Sequence, residues 1–170
     1  MTILLLGGNS LRHKQWIRDF GAALATHGHE VIMQDYRHWE TSDGMADIDH
    51  EIAQATEAMQ GKDEYAIIAK SIGTIIGAVA VARGLLHPSK VLMLGVPYKG
   101  IAGNTPEFAP ALTTLPPTVF VQNEHDPYGD STGLDTLLTN THPHDYSVVV
   151  VPGNNTHDYT DFTQLEQYLA

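Results

Sequence analysis

The sequence has no cysteine and little positive charge. Without cysteine, disulfide bonds, thiolate zinc sites and a cysteine nucleophile are all excluded. The 170 residues include 9 Lys and Arg against 20 Asp and Glu, and the resulting net charge of −11 argues against a nucleic-acid or anionic-membrane partner. The first apolar run, Ile3 to Leu6, is too short for a signal peptide or a membrane span, which predicts a cytoplasmic protein.

Short apolar runs alternate with amphipathic stretches along the whole chain, a pattern typical of repeated βα units. The length suffices for one substantial core, so we expect a single domain over residues 1–170. The continuous valine run at positions 148–151 indicates a strand that is covered on both faces. The six predicted strands are Ile3–Leu6, Glu30–Gln34, Tyr65–Ala69, Lys90–Leu94, Thr118–Gln122 and Tyr146–Val151.

Helical spacing of apolar residues predicts four helices, three between these strands and one after the last. Right-handed crossovers then favour an α/β fold, a three-layer, doubly wound parallel sheet with helices on both faces. One segment interrupts the alternation: Pro97–Pro117 is a long loop with a short helical candidate at Glu107–Leu112. The helical positions are Trp16, Phe20 and Leu24; Ile48, Ile52, Ala55 and Met59; Ile72 to Ala82, predicted to be buried; and Phe162, Leu165 and Leu169.

A serine follows the third predicted strand, in the sequence Ala69-Lys70-Ser71-Ile72-Gly73. On a sharp turn from a strand into a helix, the residues two before and two after the serine have to be small, and Ala69 and Gly73 meet that need. Such a turn lifts the Ser71 hydroxyl out at the carboxyl edge of the sheet, where a nucleophile is useful. The simpler interpretation is that Ser71 only caps the following helix.

An acid and a base follow two later strands. Asp126 lies in the loop after the fifth predicted strand and His157 in the loop after the sixth. Because parallel strands end at one edge of a sheet, both residues can converge on Ser71, and the chain order Ser, Asp, His suits a catalytic triad. Taken singly, Asp126 is explained as a turn residue before a proline and His157 as a loop histidine.

With these three positions the sequence resembles the α/β-hydrolases, and more narrowly the compact serine hydrolases that are dienelactone-hydrolase-like or retinoblastoma-binding-protein-like. The resemblance spans nearly the whole chain and departs at Ala69, where the usual residue is glycine. It implies a minimal α/β-hydrolase fold with six parallel strands in the order 2-1-3-4-5-6. It also implies that Ser71 is the nucleophile, Asp126 the acid and His157 the base.

The resemblance further implies an oxyanion hole made by the backbone N–H groups of Asn9 and Ile72. The loop Pro97–Pro117 lies where larger relatives insert a cap domain, so an uncapped, open site is expected. The implied activity is cleavage of a small carboxylic ester through an acyl-enzyme, whereas the exact bond and the oligomeric state stay open. Candidate pocket residues on the same edge are Ser10, Arg12, Tyr98 and Tyr128.

Other function classes have weaker support. No cofactor and no metal are expected, because the histidine pairs at 27 and 29 and at 142 and 144 lack a complete set of zinc ligands. A nucleotide-binding interpretation of Gly7-Gly8 is the rival, and it has weak support because the pattern Gly-x-Gly-x-x-Gly is absent. The expected partner is a small acyl substrate. The alternative is a hydrolase-fold module that binds another protein and performs no chemistry.

Overall fold

Six parallel strands form one sheet at the centre of the molecule. The computed structural model describes residues 1–41, 44–100 and 104–170. The strand order is β2-β1-β3-β4-β5-β6, and every neighbouring pair is parallel. All six predicted strands are present and the expected order is confirmed. The strands are β1 (Thr2–Leu6), β2 (Glu30–Met33), β3 (Tyr65–Lys70), β4 (Lys90–Leu94), β5 (Thr118–Asn123) and β6 (Tyr146–Val151).

Helices cover both faces of the sheet. In one layer the first helix packs against the last. In the other layer the second helix packs against the third, the third against the fourth and the fourth against the fifth. Two short 3₁₀ turns, Arg37–Glu40 and Leu112–Thr114, complete the connections in the described part of the chain. The helices are α1 (His13–Thr26), α2 (Ile48–Ala58), α3 (Ile72–Ala82), α4 (Phe108–Ala111), α5 (Ser131–Thr141) and α6 (Phe162–Gln167).

The core lies along β1, β3, β4 and helix α3. Residues Ile3–Leu6 and Ile72–Ala80 are buried, which confirms the predicted burial of the third helix. Each fully buried leucine or isoleucine stabilises the fold by about 2 kcal/mol through the surface it removes from water. This rigid centre supports the loops at the carboxyl ends of β1, β3, β5 and β6.

Strand β6 has the predicted bounds but not the predicted environment. It lies at the edge of the sheet, where Val150 is 43% exposed and the other valines are half-buried. The inference that both of its faces are covered is therefore wrong. A continuous valine run reports high β-propensity as well as burial, and the two cannot be separated from the sequence.

Helix α5 has no counterpart among the predicted helices. Its sequence, STGLDTLLTNT, contains mostly weak helix formers, so its propensity signal is low. Two features compensate for this weakness. Asp130 caps the first turn by accepting a hydrogen bond from Gly133 N at 2.9 Å, and Leu134 and Leu138 are fully buried. Burial against β5 and α4 thus outweighs local preference.

The connection from β4 to β5 contains the predicted short helix, which is realised as α4 followed by a 3₁₀ turn. Residues 101–103 of the predicted loop lie outside the described residues. Among the helices that the structure describes, none combines the length and the apolar character needed to cross a bilayer.

Candidate active site

Ser71 occupies a strained turn between β3 and α3. Its backbone angles are φ 54° and ψ −122°, a conformation that costs a non-glycine residue about 1–3 kcal/mol. A Cβ atom at Gly73 would lie 2.7 Å from the carbonyl oxygen of Leu6 and 2.8 Å from that of Gly7. The turn therefore requires a glycine at position 73. The Ser71 side chain makes no capping hydrogen bond to α3, so the helix-cap interpretation is wrong.

Asp126 and His157 are in contact although 31 positions separate them. Asp126 Oδ2 accepts a hydrogen bond from His157 Nδ1 at 2.6 Å, and both side chains are buried. The other carboxylate oxygen, Oδ1, accepts from Tyr128 N at 2.9 Å. The bond from Nδ1–H fixes the tautomer of the imidazole, which leaves Nε2 as the unprotonated nitrogen.

Tyr159 and Asn123 hold this pair in place, and neither was among the predicted site residues. The Tyr159 hydroxyl donates to Asp126 Oδ2 at 2.8 Å and accepts from Asn123 N at 2.9 Å. The Asn123 side chain donates to the carbonyl oxygens of Thr156 and Asp158 at 2.9 and 3.0 Å, so it ties down the chain on both sides of the histidine. The sequence signal for Asn123 was a polar residue at the end of an apolar strand, and Tyr159 had no such signal.

Ser71 and His157 line one cavity of about 300 Å³. His157 Nε2 is buried and has no hydrogen-bond partner among the described residues. The bond between Nε2 and the Ser71 hydroxyl is therefore not formed in this conformation. Four other predicted residues line the same cavity, namely Asn9, Ser10, Arg12 and Tyr128, together with His13, Met45, Pro97 and Gly100.

The remaining candidate pocket residue, Tyr98, is not part of the cavity lining. Its hydroxyl donates to the Asp130 carbonyl oxygen at 3.2 Å. Its ring lies so close to Gly129 and Gly133 that a Cβ atom at either position would collide with it. Tyr98 thus packs the loop after β4 against the loop after β5.

Asn9 is fixed by four hydrogen bonds to the segment after β2. Its side chain accepts from Ala46 N at 2.8 Å and donates to the Gly44 carbonyl oxygen at 3.1 Å. Its own carbonyl oxygen accepts from His38 Nε2 at 2.6 Å and from Trp39 Nε1 at 3.1 Å. The backbone N–H of Asn9 donates to no acceptor in the part of the chain that the structure describes. This anchoring fixes the position of Asn9, which lines the cavity.

A buried cation lies directly before Ser71. Lys70 is 1% exposed, and its Nζ lies 2.6 Å from His13 Nε2. Because His13 Nδ1 lies 3.1 Å from the Ser10 carbonyl oxygen, which only accepts, the proton is on Nδ1 and Nε2 accepts from the lysine. Burial, followed by the Lys70 charge, lowers the pKa of His13 to about 3. Burial also lowers the pKa of Lys70 to about 8, and Arg12 adds to this effect.

The described side chains include no grouping of three or more His, Asp or Glu that could hold a metal ion. Ser71, His157 and Asp126 bring a hydroxyl, an imidazole and a carboxylate to this region, the groups that nucleophilic acyl transfer uses.

Comparisons with known proteins identify the fold. No protein-family model matches the sequence, and none of the curated proteins matches it. Solved structures do match over nearly the whole chain. An α/β serine hydrolase homologue from Coxiella burnetii is 16% identical, with a TM-score of 0.75 over 100% of this chain and 85% of its own.

Two further similar structures cover 99% of this chain at 12% identity. Esterase B from Lactobacillus rhamnosis has a TM-score of 0.70 over 73% of its own chain. Est1E from Butyrivibrio proteoclasticus, solved with ferulic acid bound, has a TM-score of 0.77 over 87% of its own chain. The fold is that of the α/β-hydrolases, as the resemblance in the sequence implied.

Proposed function

We propose that this protein is a serine hydrolase that cleaves a small carboxylic ester by two-step acyl transfer. One observation carries the proposal. His157 donates a hydrogen bond from one ring nitrogen to Asp126, and its other ring nitrogen has no partner among the described residues. Ser71 and His157 line the same cavity. A buried nitrogen without a partner costs free energy, so its retention is explained by a role in proton transfer.

The first half-reaction forms an acyl-enzyme. Rotation of the Ser71 side chain brings Oγ to His157 Nε2, which takes its proton as Oγ attacks the ester carbonyl carbon. Asp126 stabilises the imidazolium that results. The oxyanion accepts hydrogen bonds from the N–H groups of Asn9 and Ile72, the latter in the first turn of α3. His157 then gives its proton to the leaving alkoxide, which departs as the alcohol.

The second half-reaction repeats these steps with water. His157 deprotonates a water molecule that attacks the acyl carbon. As the tetrahedral intermediate collapses, His157 returns the proton to Ser71 Oγ, which releases a carboxylic acid and restores free Ser71. A cavity of about 300 Å³ suits a small acyl group. The Tyr128 ring lies 4.7 Å from the His157 ring and is 52% exposed, so it can cover a bound substrate. The chain is proposed to act as a single domain without a cap.

The alternative function is a partner-binding module without chemistry. A single observation favours it, the absence of a hydrogen bond between Ser71 and His157 in this conformation. Catalytic hydrogen bonds are commonly long or unformed before substrate binds, so this observation does not outweigh the arrangement of the three residues. Fold similarity to Esterase B supports the enzyme proposal at the level of architecture.

Labelling with a fluorophosphonate probe separates the two functions. We expect the wild-type protein to be labelled, and Ser71→Ala to abolish labelling because the nucleophile is gone. His157→Ala is expected to lower esterase activity by roughly 10⁴-fold. Ser147→Ala, which removes an exposed hydroxyl from the edge strand β6, is the matched control and is expected to label fully. A wild-type protein that is folded but not labelled would exclude the proposed triad.

A further inference from the structure

A second cavity of about 360 Å³ lies beside the proposed catalytic cavity. The two share Arg12 and His13 in their walls, but Ser71 and His157 line only the first. Aromatic and charged side chains both line the second cavity, which we call the Lys70 cavity. Its aromatic walls come from Trp16 in α1, Tyr159 after β6 and Phe162 in α6, and Lys70 lies at its inner end.

The Lys70 ammonium is buried without a paired carboxylate. It has three N–H donors, and among the described residues only His13 Nε2 accepts one of them. No carboxylate of the described chain forms an ion pair with it within 4 Å. The faces of Trp16 and Tyr159, each 5.9 Å from Nζ, offset part of the cost of burying the charge. Two donors are left for a ligand.

The Lys70 ammonium at the inner end of the cavity has no negative group paired with it among the described residues. Asp158 lines the cavity, but its carboxylate lies 3.9 Å from Arg12, with which it is paired at the exposed rim. Asp19 also lies at the wall. The charges of Asp158 and Asp126 raise the pKa of Lys70 without a direct contact. Burial has the larger effect and lowers this pKa to about 8. A small anion would therefore supply the missing counter-charge.

We propose that the Lys70 cavity binds a small carboxylate with an aromatic body. Its carboxylate accepts hydrogen bonds from the Lys70 ammonium, and its ring packs among Trp16, Tyr159 and Phe162. An ammonium hydrogen-bonded to a carboxylate in a desolvated site is a strong interaction, and the aromatic walls add apolar contact. The proposal stands apart from the proposed esterase activity, because it requires neither Ser71 nor His157.

Phenylacetate is a suitable probe, and the Ser71→Ala protein separates binding from catalysis. The chain has two tryptophans, so an NMR spectrum of the indole N–H groups shows two signals. We expect phenylacetate to shift the Trp16 signal, since Trp16 lines the cavity, and to leave Trp39 unchanged. Phenylacetamide, the neutral analogue, is expected to bind at least about tenfold more weakly because it brings no charge. A shift of Trp39 alone would place the ligand elsewhere and overturn the proposal.

Lys70→Met tests the residue directly. Methionine fills a similar volume without charge, and we expect it to weaken phenylacetate binding by about tenfold or more. Lys14→Met is the matched control. It removes a cation from the first turn of α1 that does not line the cavity, and it is expected to bind phenylacetate normally. Equal affinity of Lys70→Met and the control would refute the assignment.

The pH dependence of binding provides a test that does not depend on the variant folding. The other charged groups around Lys70 are Arg12, Asp19, Asp158 and Asp126. The pKa of His13 is near 3, and that of Tyr159 is raised far above its usual value by burial. The pKa of Lys70, about 8, lies inside the window from pH 7 to 9.5, so affinity should fall by about tenfold or more across it. Constant affinity across the window contradicts the proposal.

Discussion

Tyr159 donates its hydroxyl hydrogen to the same Asp126 oxygen that accepts from His157. The two bonds measure 2.8 and 2.6 Å, and all three side chains are buried. Tyr159 therefore fixes the orientation of the carboxylate that orients the imidazole. Its ring also leaves no space for a side chain at position 95, because a Cβ atom on Gly95 would lie 2.5 Å from it. The tyrosine is a positioning residue and does not face the Ser71 cavity.

Tyr159→Phe is predicted to lower kcat about tenfold with little change in KM. The substitution removes the bond to Asp126 and leaves the buried Asn123 N–H without its acceptor, each worth about 1 kcal/mol. Steady-state kinetics on an aryl ester measure the effect. Tyr146→Phe, at an exposed position on β6, is the control. An effect confined to KM would indicate that the tyrosine contacts substrate instead.

Asn9→Ala is predicted to lower kcat by roughly 10- to 100-fold. Loss of the side-chain bonds to Ala46 and Gly44 frees the loop that carries the Asn9 N–H. If this N–H is the proposed oxyanion donor, its displacement weakens the stabilisation of the transition state rather than substrate binding. Asn140→Ala, on the exposed face of α5, serves as the control. If kcat and KM both stay at the wild-type values, the oxyanion hole does not include Asn9.

Ser71→Gly is predicted to be more stable than Ser71→Ala by about 1 kcal/mol. Both variants lack the hydroxyl, but only glycine adopts φ 54° and ψ −122° without steric strain. Urea denaturation of the two variants measures the difference in the free energy of unfolding. Equal midpoints would mean that the turn stores no strain at this residue.

Gly73→Ala and Gly77→Ala form a matched pair in α3. At position 73 a Cβ atom would meet two backbone oxygens at 2.7 and 2.8 Å. We therefore expect Gly73→Ala to lower the free energy of unfolding by about 2 kcal/mol or more. At position 77 the nearest atom is Leu6 Cδ1 at 3.4 Å, and alanine favours the helix, so stability should be unchanged or rise by up to about 1 kcal/mol. The free energies of unfolding of both variants check this. Similar losses at both positions would contradict the close approach at the turn.

His13 is predicted to make the protein sensitive to acid. Its pKa is about 3 when folded and near 6.5 when unfolded, so between these values the unfolded chain binds one more proton. Stability from this residue is complete above pH 6.5 and is lost as the pH falls toward 3. The free energy of unfolding of His13→Gln, measured from pH 4 to 6.5, should change less steeply than that of wild type, by up to about 1.4 kcal/mol per pH unit. Parallel curves would show that His13 titrates normally.

Much of the architecture follows from the sequence because its signals are local. The strands and the buried helix α3 are marked by apolar runs of characteristic length, and the strand order follows from the likeness to α/β-hydrolases. Small residues around Ser71 likewise mark the turn. Helix α5 and the exposure of β6 could not be predicted in this way, since burial against neighbouring elements determines the first and position in the sheet determines the second.

The sequence by itself determined which chemical groups stand at the strand ends: Ser71, Asp126 and His157. Only the tertiary structure decided which atoms meet. The contacts of Tyr159 with Asp126, of Asn9 with Ala46 and of Lys70 with His13 join residues that are 33, 37 and 57 positions apart. The physical reason is that such pairs depend on strand register and on the packing of loops at one sheet edge. No pattern within a short window of sequence encodes those distances.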